Sequence, residues 1–286
     1  MFWGTFSAIN GIKSGKANPL LSLSPLEWHN RFVLQARWTR EIRAYIFKRA
    51  RVLHTNRILE IGCGTGAIIK ETTPIIGGFD HQRTEKDGHV HFFGLDLNFQ
   101  YLLLASSLVP AAELTQGDAH TLPYTRDYFD LAICHFLLLW VTHPEVVVTE
   151  MARVTAPGGA VFALAEPDYG GRIDYPLKLE QLGIWQHEAL KGQGAEPNLG
   201  RQLASILKKA GLQNIEVGVL GGQWKGKSEK DDWESEWKVL LSDLQNYVPL
   251  ERLKQLKNID ANAWKRGERI LYVPTFYGWG RVPNRY

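Results

Sequence analysis

Cysteine and methionine are scarce in this chain, at two each among 286 residues. Cys63 and Cys134 each fall in or beside a predicted strand end. No disulfide framework can be read from them, and a reduced compartment fits. Long apolar runs are also missing: none reaches the ~18 residues of a membrane helix. Charge of one sign is not in excess, since 33 basic residues face 30 acidic ones for a net charge of +3. That balance argues against a dedicated nucleic-acid binder and leaves room only for a local basic patch. The N-terminal MFWGTFSAINGIKSGK has no charged segment ahead of its apolar part, and no Arg occurs before Arg31. Neither a secretory signal nor a transit peptide is expected there, and the cytoplasm is the expected location. His81, His89 and His91 lie near Asp80 and Asp87, but their spacing follows no zinc-ligand pattern. An exposed loop over 77–88 and no metal are expected. Internal repeats and low-complexity segments are absent.

Apolar residues make up 44% of the chain, which is ample for a core. Ser24-Pro25-Leu26-Glu27 is a capping box with Pro at the first helical position, and helical sequence follows to about Arg51. This stretch is basic, with Arg31, Arg37, Arg40, Arg43, Lys48, Arg49 and Arg51. A solvated helix face is the plain reading; Arg37 is the candidate for reaching an anionic group on a ligand. The stretch ILEIGCGTG at 58–66 is an apolar strand running into Gly62, Gly64 and Gly66. Further strands are expected to end at Asp96, at Gln116 and at Cys134, with another over 160–165. Asn98 is placed to cap a helix that Pro110 stops, and His143-Pro144 opens another. Alternating apolar strands and helices imply a parallel sheet covered on both faces. In such sheets ligands sit beyond the carboxyl ends of the strands. Gly62 to Gly66, Asp96, Asp118, His135 and Glu166-Pro167-Asp168 all fall at those ends.

The glycine turn admits two classes of cofactor. Gly62-x-Gly64-x-x-Ala67 satisfies the relaxed dinucleotide fingerprint, whose pyrophosphate would rest on the helix N-terminus. Against it, Glu60 on the strand leading in brings negative charge toward the cleft, which suits a cationic ligand better.

Glu60-x-Gly62-x-Gly64-x-Gly66 resembles the first motif of the class I S-adenosylmethionine-dependent methyltransferases, of the type 11, UbiE-like kind. Asp96 at the end of GLDLN looks like that family's ribose-binding acid. Gly117-Asp118-Ala119 with Leu122-Pro123-Tyr124 looks like its adenine-side motif. Phe129-Asp130-Leu131 and Glu150-x-x-Arg153-Val154-x-x-Pro157-Gly158-Gly159 also match. The likeness covers about 55–165 well and continues loosely to the C-terminus. It implies an α/β Rossmann-like fold, a seven-stranded mostly parallel sheet with an antiparallel last strand and a helical cap. It also implies S-adenosylmethionine as cofactor, held by Glu60, Gly62, Cys63, Gly64, Gly66, Asp96, Leu97, Gly117, Asp118, Ala119 and His135, with Arg37 added from the basic helix. Leader and cap helices are expected over 1–50 and the methyltransferase domain over 51–286.

The acceptor half is less explicit. Substrate-cap insertions are expected at 166–198 and 224–269, because long connections of this kind commonly form lids. Asn198 is placed to cap a helix ending at Gly211. Ser228-Glu229-Lys230-Asp231 offers a second capping box, and the helix after it sets Trp233, Trp237, Leu240, Leu241 and Leu244 on one face. Those rings read either as core of the cap or as an aromatic pocket for a flat or apolar small molecule. Trp140, Tyr169, Arg172, Tyr175 and Trp237 are the candidate substrate contacts, and His135 and Asp168 the candidate bases. A small-molecule acceptor is expected, with a protein or RNA acceptor or a nicotinamide-dependent oxidoreductase as alternatives.

Overall fold

The computed structural model describes residues 23–52, 57–77, 90–220 and 230–284. The 1–22 leader, Asp80, His81 and Asp87 of the 77–88 loop, His89 just after it, and the capping residues Ser228 and Glu229 lie outside the described residues. His91 is exposed at the start of a strand.

The chain begins with α1 (Pro25–Trp38) and α2 (Arg40–Arg49). The Ser24 capping box is present: its hydroxyl accepts from Glu27 N–H, and the Glu27 carboxylate accepts from Ser24 N–H. The expected single helix is two, divided at Thr39, which turns its hydroxyl onto the carbonyls one turn back. There follow β1 (Arg57–Ile61), α3 (Ala67–Gly77), β2 (His91–Asp96), α4 (Phe99–Leu108), β3 (Glu113–Gln116), β4 (Phe129–Cys134), α5 (Pro144–Val154) and β5 (Thr155–Pro167). Asn98 caps α4 through Gln100 N–H and Tyr101 N–H. The turn expected at 156–159 is absorbed into β5 as a register irregularity against β4, with Gly158 at φ +77°. Beyond it come β6 (Ile173–Tyr175), α6 (Glu180–Gly192), α7 (Leu203–Lys209), β7 (Gln213–Val219), α8 (Lys230–Leu244), α9 (Leu250–Arg266), β8 (Ile270–Tyr272) and β9 (Thr275–Arg281).

The main sheet has seven strands in the order β3-β2-β1-β4-β5-β9-β7. β1 to β5 pair in parallel, and β9 runs antiparallel to both β5 and β7. The mostly parallel sheet with an antiparallel last strand is therefore as expected. Pro274 splits the C-terminal apolar run in two, as its missing N–H requires. Residues after it join the main sheet; those before it pair with β6 in a separate two-stranded sheet.

Strand alternation sorts the core into two layers. Leu59, Ile61, Ala132, Cys134, Val161 and Ala163 face α5 and α7. Ile58, Leu131, Ile133, Phe162 and Leu164 face α1 to α4. A third cluster, with Trp237, Leu240, Leu244, Leu253 and Leu256, joins α6, α8 and α9 into a cap. The expected helix face is present: Trp237, Leu240 and Leu244 are its buried centre, with Trp233 and Leu241 against it. No helix among the described residues is long and apolar enough to cross a membrane.

Candidate active site

β1 ends in a turn where Gly62 and Gly64 take φ of +71° and +52°. L-residues rarely adopt such angles, so glycine is required here. Space is short as well: a Cβ on Gly62 would lie 2.8 Å from the Leu137 side chain, and one on Gly64 would lie 3.2 Å from the Phe32 ring. The turn is tied to its neighbours from three sides. Gly62 and Cys63 N–H both donate to the Leu95 carbonyl at 2.7 and 3.0 Å. Buried Asp96 accepts from Gly64 N–H at 2.7 Å and from Asn98 N–H at 2.8 Å, joining the turn to the start of α4. From α1, His29 Nδ1 reaches the buried Thr65 hydroxyl at 2.8 Å.

Beside the turn lies a cleft lined by Phe32, Gln35, Glu60, Gly62, Cys63, Gly64, Ala67, Ile68, His135 and Phe136. Phe32 and Gln35 come from α1, which roofs it. Glu60 points from β1 into the layer under α1 to α4. It is buried, and its Oε2 has no hydrogen-bond partner. Burial pushes its carboxyl well above the ordinary range, against the pull of the Arg43 charge. Arg43, from α2, is fully buried and donates from Nη1 to the Ala36 carbonyl and the Thr39 hydroxyl, each at 2.6 Å. Its Nε and Nη2 have no partner, and burial pulls it down to about 10. His135 sits after β4 with Nε2 at 3.0 Å from Thr39 Oγ1. Burial and the nearby Arg43 charge hold it well below the usual imidazole range, so it is neutral. Burial raises the Cys63 thiol, which leaves it unreactive. Among the described residues no group of three or more His, Cys, Asp or Glu could hold a metal ion.

Past Asp96 the site opens to solvent. Leu97 is 41% exposed. Gly117 N–H donates to the Asp96 carbonyl at 3.1 Å. Asp118 is exposed and accepts from His120, through its N–H at 2.9 Å and its ring at 2.7 Å. Those donors lower its carboxyl below the ordinary range. Ala119 is buried beneath them.

The fold, and the stretch of chain that carries the glycine turn, are similar to known proteins. Residues 59–163 match the family model for a methyltransferase domain. Over that stretch the chain is similar to a methyltransferase domain. One relative, the ubiquinone/menaquinone biosynthesis C-methyltransferase UbiE of Stutzerimonas stutzeri, is 33% identical over 117 residues, covering 39% of this chain and 42% of the relative. A second, the phosphatidylethanolamine N-methyltransferase of Cereibacter sphaeroides, is 34% identical over 124 residues, covering 40% of this chain and 54% of the relative. The matches thus span about half the length of these relatives or less. The YcgJ protein of Bacillus subtilis superposes with a TM-score of 0.53 over 86% of this chain and 99% of its own, at 16% identity. That likeness speaks for the fold.

Around this methyltransferase-like region the remaining sequence candidates are less well placed. Asp168 is buried, but Arg201 grips its carboxylate with two N–H groups, Nη2 at 2.6 Å and Nε closer still. A carboxylate so held is not a free base, which corrects that expectation. Arg37 is exposed on α1, two residues past Gln35 and so on the opposite side of the helix, and it does not line the cleft. Trp237 is fully buried in the cap core and donates from Nε1 to Asp260 at 2.5 Å, making it a structural ring rather than a pocket wall. Arg172 is spent on Asp174 and on Gln186. Tyr175 is half exposed on β6, Trp140 is half-buried in a single turn after β4, and neither lines the cleft. Tyr169 is buried, and its hydroxyl feels the charges of Asp243, Glu236, Arg172 and Arg31.

Sequence reasoning missed a stripe. Arg31, Gln35, Thr39 and Arg43 recur every fourth residue along α1 and α2, and all four are buried. The signal was available: polar residues at helical spacing beside Trp28, Phe32 and Ala36, on the face that packs inward. Glu166 was noticed only for its position. It is fully buried and accepts from the N–H groups of Leu137, Leu138 and Leu139 at 3.2, 3.1 and 3.3 Å. It thereby holds the turn whose Leu137 packs against Gly62.

Proposed function

We propose that this chain transfers a methyl group from S-adenosylmethionine to a nucleophilic atom of a small-molecule acceptor. The observation that carries the reading is the cleft beside the glycine turn, roofed by α1 and lined by the orphaned acid Glu60. The residues present fit the cofactor. The left-handed glycines form a cradle that a side chain would fill, and a buried carboxyl whose Oε2 lacks a partner would ionise more readily beside a cation and would repel a pyrophosphate. Asp96 keeps lone pairs beyond its two backbone donors and would accept from ribose hydroxyls. Asp118 would accept from the adenine amino group and Ala119 N–H would donate to the ring. Bound, the cofactor supplies a sulfonium-activated methyl group. Phe32 and the rest of α1 exclude water, and binding in the cleft aligns the reactants; such positioning accounts for much of the barrier in a transfer of this kind. No general base is assigned: Asp168 is held by Arg201, and neutral His135 is a weak one.

A small acceptor is favoured over a nucleic acid because the chain's net charge is only +3, without a marked basic excess. The two curated relatives are named for quinone biosynthesis and for a phospholipid, one a C- and the other an N-methyltransferase, which agrees with small acceptors but not with one methylated atom. The test is incubation of the protein with methyl-labelled S-adenosylmethionine and a fractionated extract. Label in the small-molecule fraction is expected; label confined to protein or RNA would move the reading to a macromolecular acceptor. Calorimetry should show binding of S-adenosylhomocysteine and none of a nicotinamide dinucleotide.

A further inference from the structure

Arg43, Thr39 and His135 form a buried row that ends at the cleft. Thr39 Oγ1 lies 2.9 Å from the Gln35 carbonyl oxygen, 3.3 Å from that of Ala36, 2.6 Å from Arg43 Nη1 and 3.0 Å from His135 Nε2. A hydroxyl has one proton and two lone pairs. Arg43 can only donate, so it takes one lone pair. Two oxygens 2.9 Å apart repel unless a proton lies between them, so the Thr39 proton points to Gln35. The second lone pair then faces His135, and Nε2 has to be the donor. A neutral imidazole that donates from Nε2 keeps a bare lone pair on Nδ1. Among the described residues nothing donates to that Nδ1. His135 lines the cleft with Glu60, whose Oε2 is likewise without a partner.

We infer that Thr39, anchored by Arg43, locks His135 as the Nε2–H tautomer, so that His135 Nδ1 accepts from the ammonium group of the bound nucleoside-amino acid. Thr39 is then a positioning residue and His135 the contact. The ligand half of this inference rests on the function proposed above; the tautomer half does not.

The experiment is nitrogen-resolved NMR of the histidine side chains in the full-length protein, with His135→Gln assigning the signal. The free protein should show Nε2 protonated and Nδ1 bare. Thr39→Val, which keeps the shape and removes the hydroxyl, should collapse this into exchanging tautomers. Thr39→Ser should restore it. Affinity for S-adenosylhomocysteine should fall roughly two- to ten-fold in Thr39→Val and recover in Thr39→Ser. A wild-type Nδ1–H tautomer, or an unchanged pattern in Thr39→Val, would overturn the lock. Saturation with S-adenosylhomocysteine should shift Nδ1 toward a hydrogen-bonded value, and 5′-methylthioadenosine, which lacks the amino-acid end, should not. Bound S-adenosylhomocysteine that leaves Nδ1 unmoved would overturn the ammonium contact. Failure of S-adenosylhomocysteine to bind at all would overturn the proposed function and the ligand half, while the tautomer result in the free protein would stand.

Discussion

Two regions of this molecule bury charge, and they treat it in opposite ways. In the cap, Asp174 accepts from Arg172 at 2.6 and 3.1 Å and from Arg269 at 2.6 Å. Asp260 accepts from Trp233 at 2.8 Å, from Trp237 at 2.5 Å and from Arg269. Gln186 bridges Arg172 and Asp243. Beside the glycine turn, Glu60 and Arg43 are as deeply buried, yet Glu60 Oε2 and Arg43 Nε and Nη2 have no partner. A paired buried charge is architecture: its removal harms the fold. An unpaired one costs free energy that the fold does not recover, which, in a cleft, makes it a candidate for serving a ligand. The seam between the two regions is mixed. Arg31 of α1 donates to Glu236 of α8 at 3.1 Å while its Nε and Nη1 go unpaired.

The largest effect should come from breaking the paired side. Arg269→Leu leaves Asp174 and Asp260 short of their shared cation, at a cost of about 3–5 kcal/mol. Urea unfolding should show that loss; a change below about 1 kcal/mol would mean the cap network is not structural. The next effect belongs to the other side. Asp96→Ala removes a charge-assisted acceptor and should weaken S-adenosylhomocysteine binding by about 1.5–3 kcal/mol. Because Asp96 also holds Gly64 N–H and Asn98 N–H, some fold stability should be lost too. Calorimetry that finds unchanged affinity would remove the ribose assignment.

The same contrast explains what was legible in the sequence. The cofactor side is encoded locally: Gly62 to Gly66, Asp96 and Asp118 each sit within a few residues of a strand end, so short motifs reveal them. Its polar lining is not. Arg43 meets Glu60 only after α2 is laid over β1, and the stripe from Arg31 to Arg43 reads as a solvated basic face until that packing is known. Exposed Arg37 and buried Arg43 carry the same chemistry in the same helical pair, and only the direction of the face separates them. The cap was legible as a helix with one apolar side. Its charges were not, because Asp174 and Arg269 are joined by strand pairing across nearly a hundred residues, and Trp237 reads equally well as core or as pocket. Nothing in the C-terminal apolar run around Pro274 says that its two halves join different sheets.

Glu166 tests the rule between those extremes, since it has three donors but no cation. Burial outweighs the amide donors and lifts its carboxyl from 4.5 to about 8. Its folded value exceeds its unfolded one, so its contribution to stability is whole below about 4.5 and is lost as pH rises to about 8. Wild-type stability relative to Glu166→Gln should therefore decline across that window. Parallel pH profiles in chemical denaturation would show instead that the three amides keep Glu166 ionised throughout.

The smallest effect should be at Arg37, and its smallness is informative. Arg37→Ala removes a cation from the exposed side of the same helix that presents Gln35 and Phe32 to the cleft. Away from any buried partner, such a change should alter stability by no more than about 0.5 kcal/mol. S-adenosylhomocysteine affinity should not change, and any difference should vanish at high salt, because an exposed charge acts only through a screened field. A marked loss of affinity that survives high salt would mean that α1 turns its outer face to the ligand in the bound state. The buried stripe, and with it the division between paired and unpaired charge, would then describe only the unliganded protein.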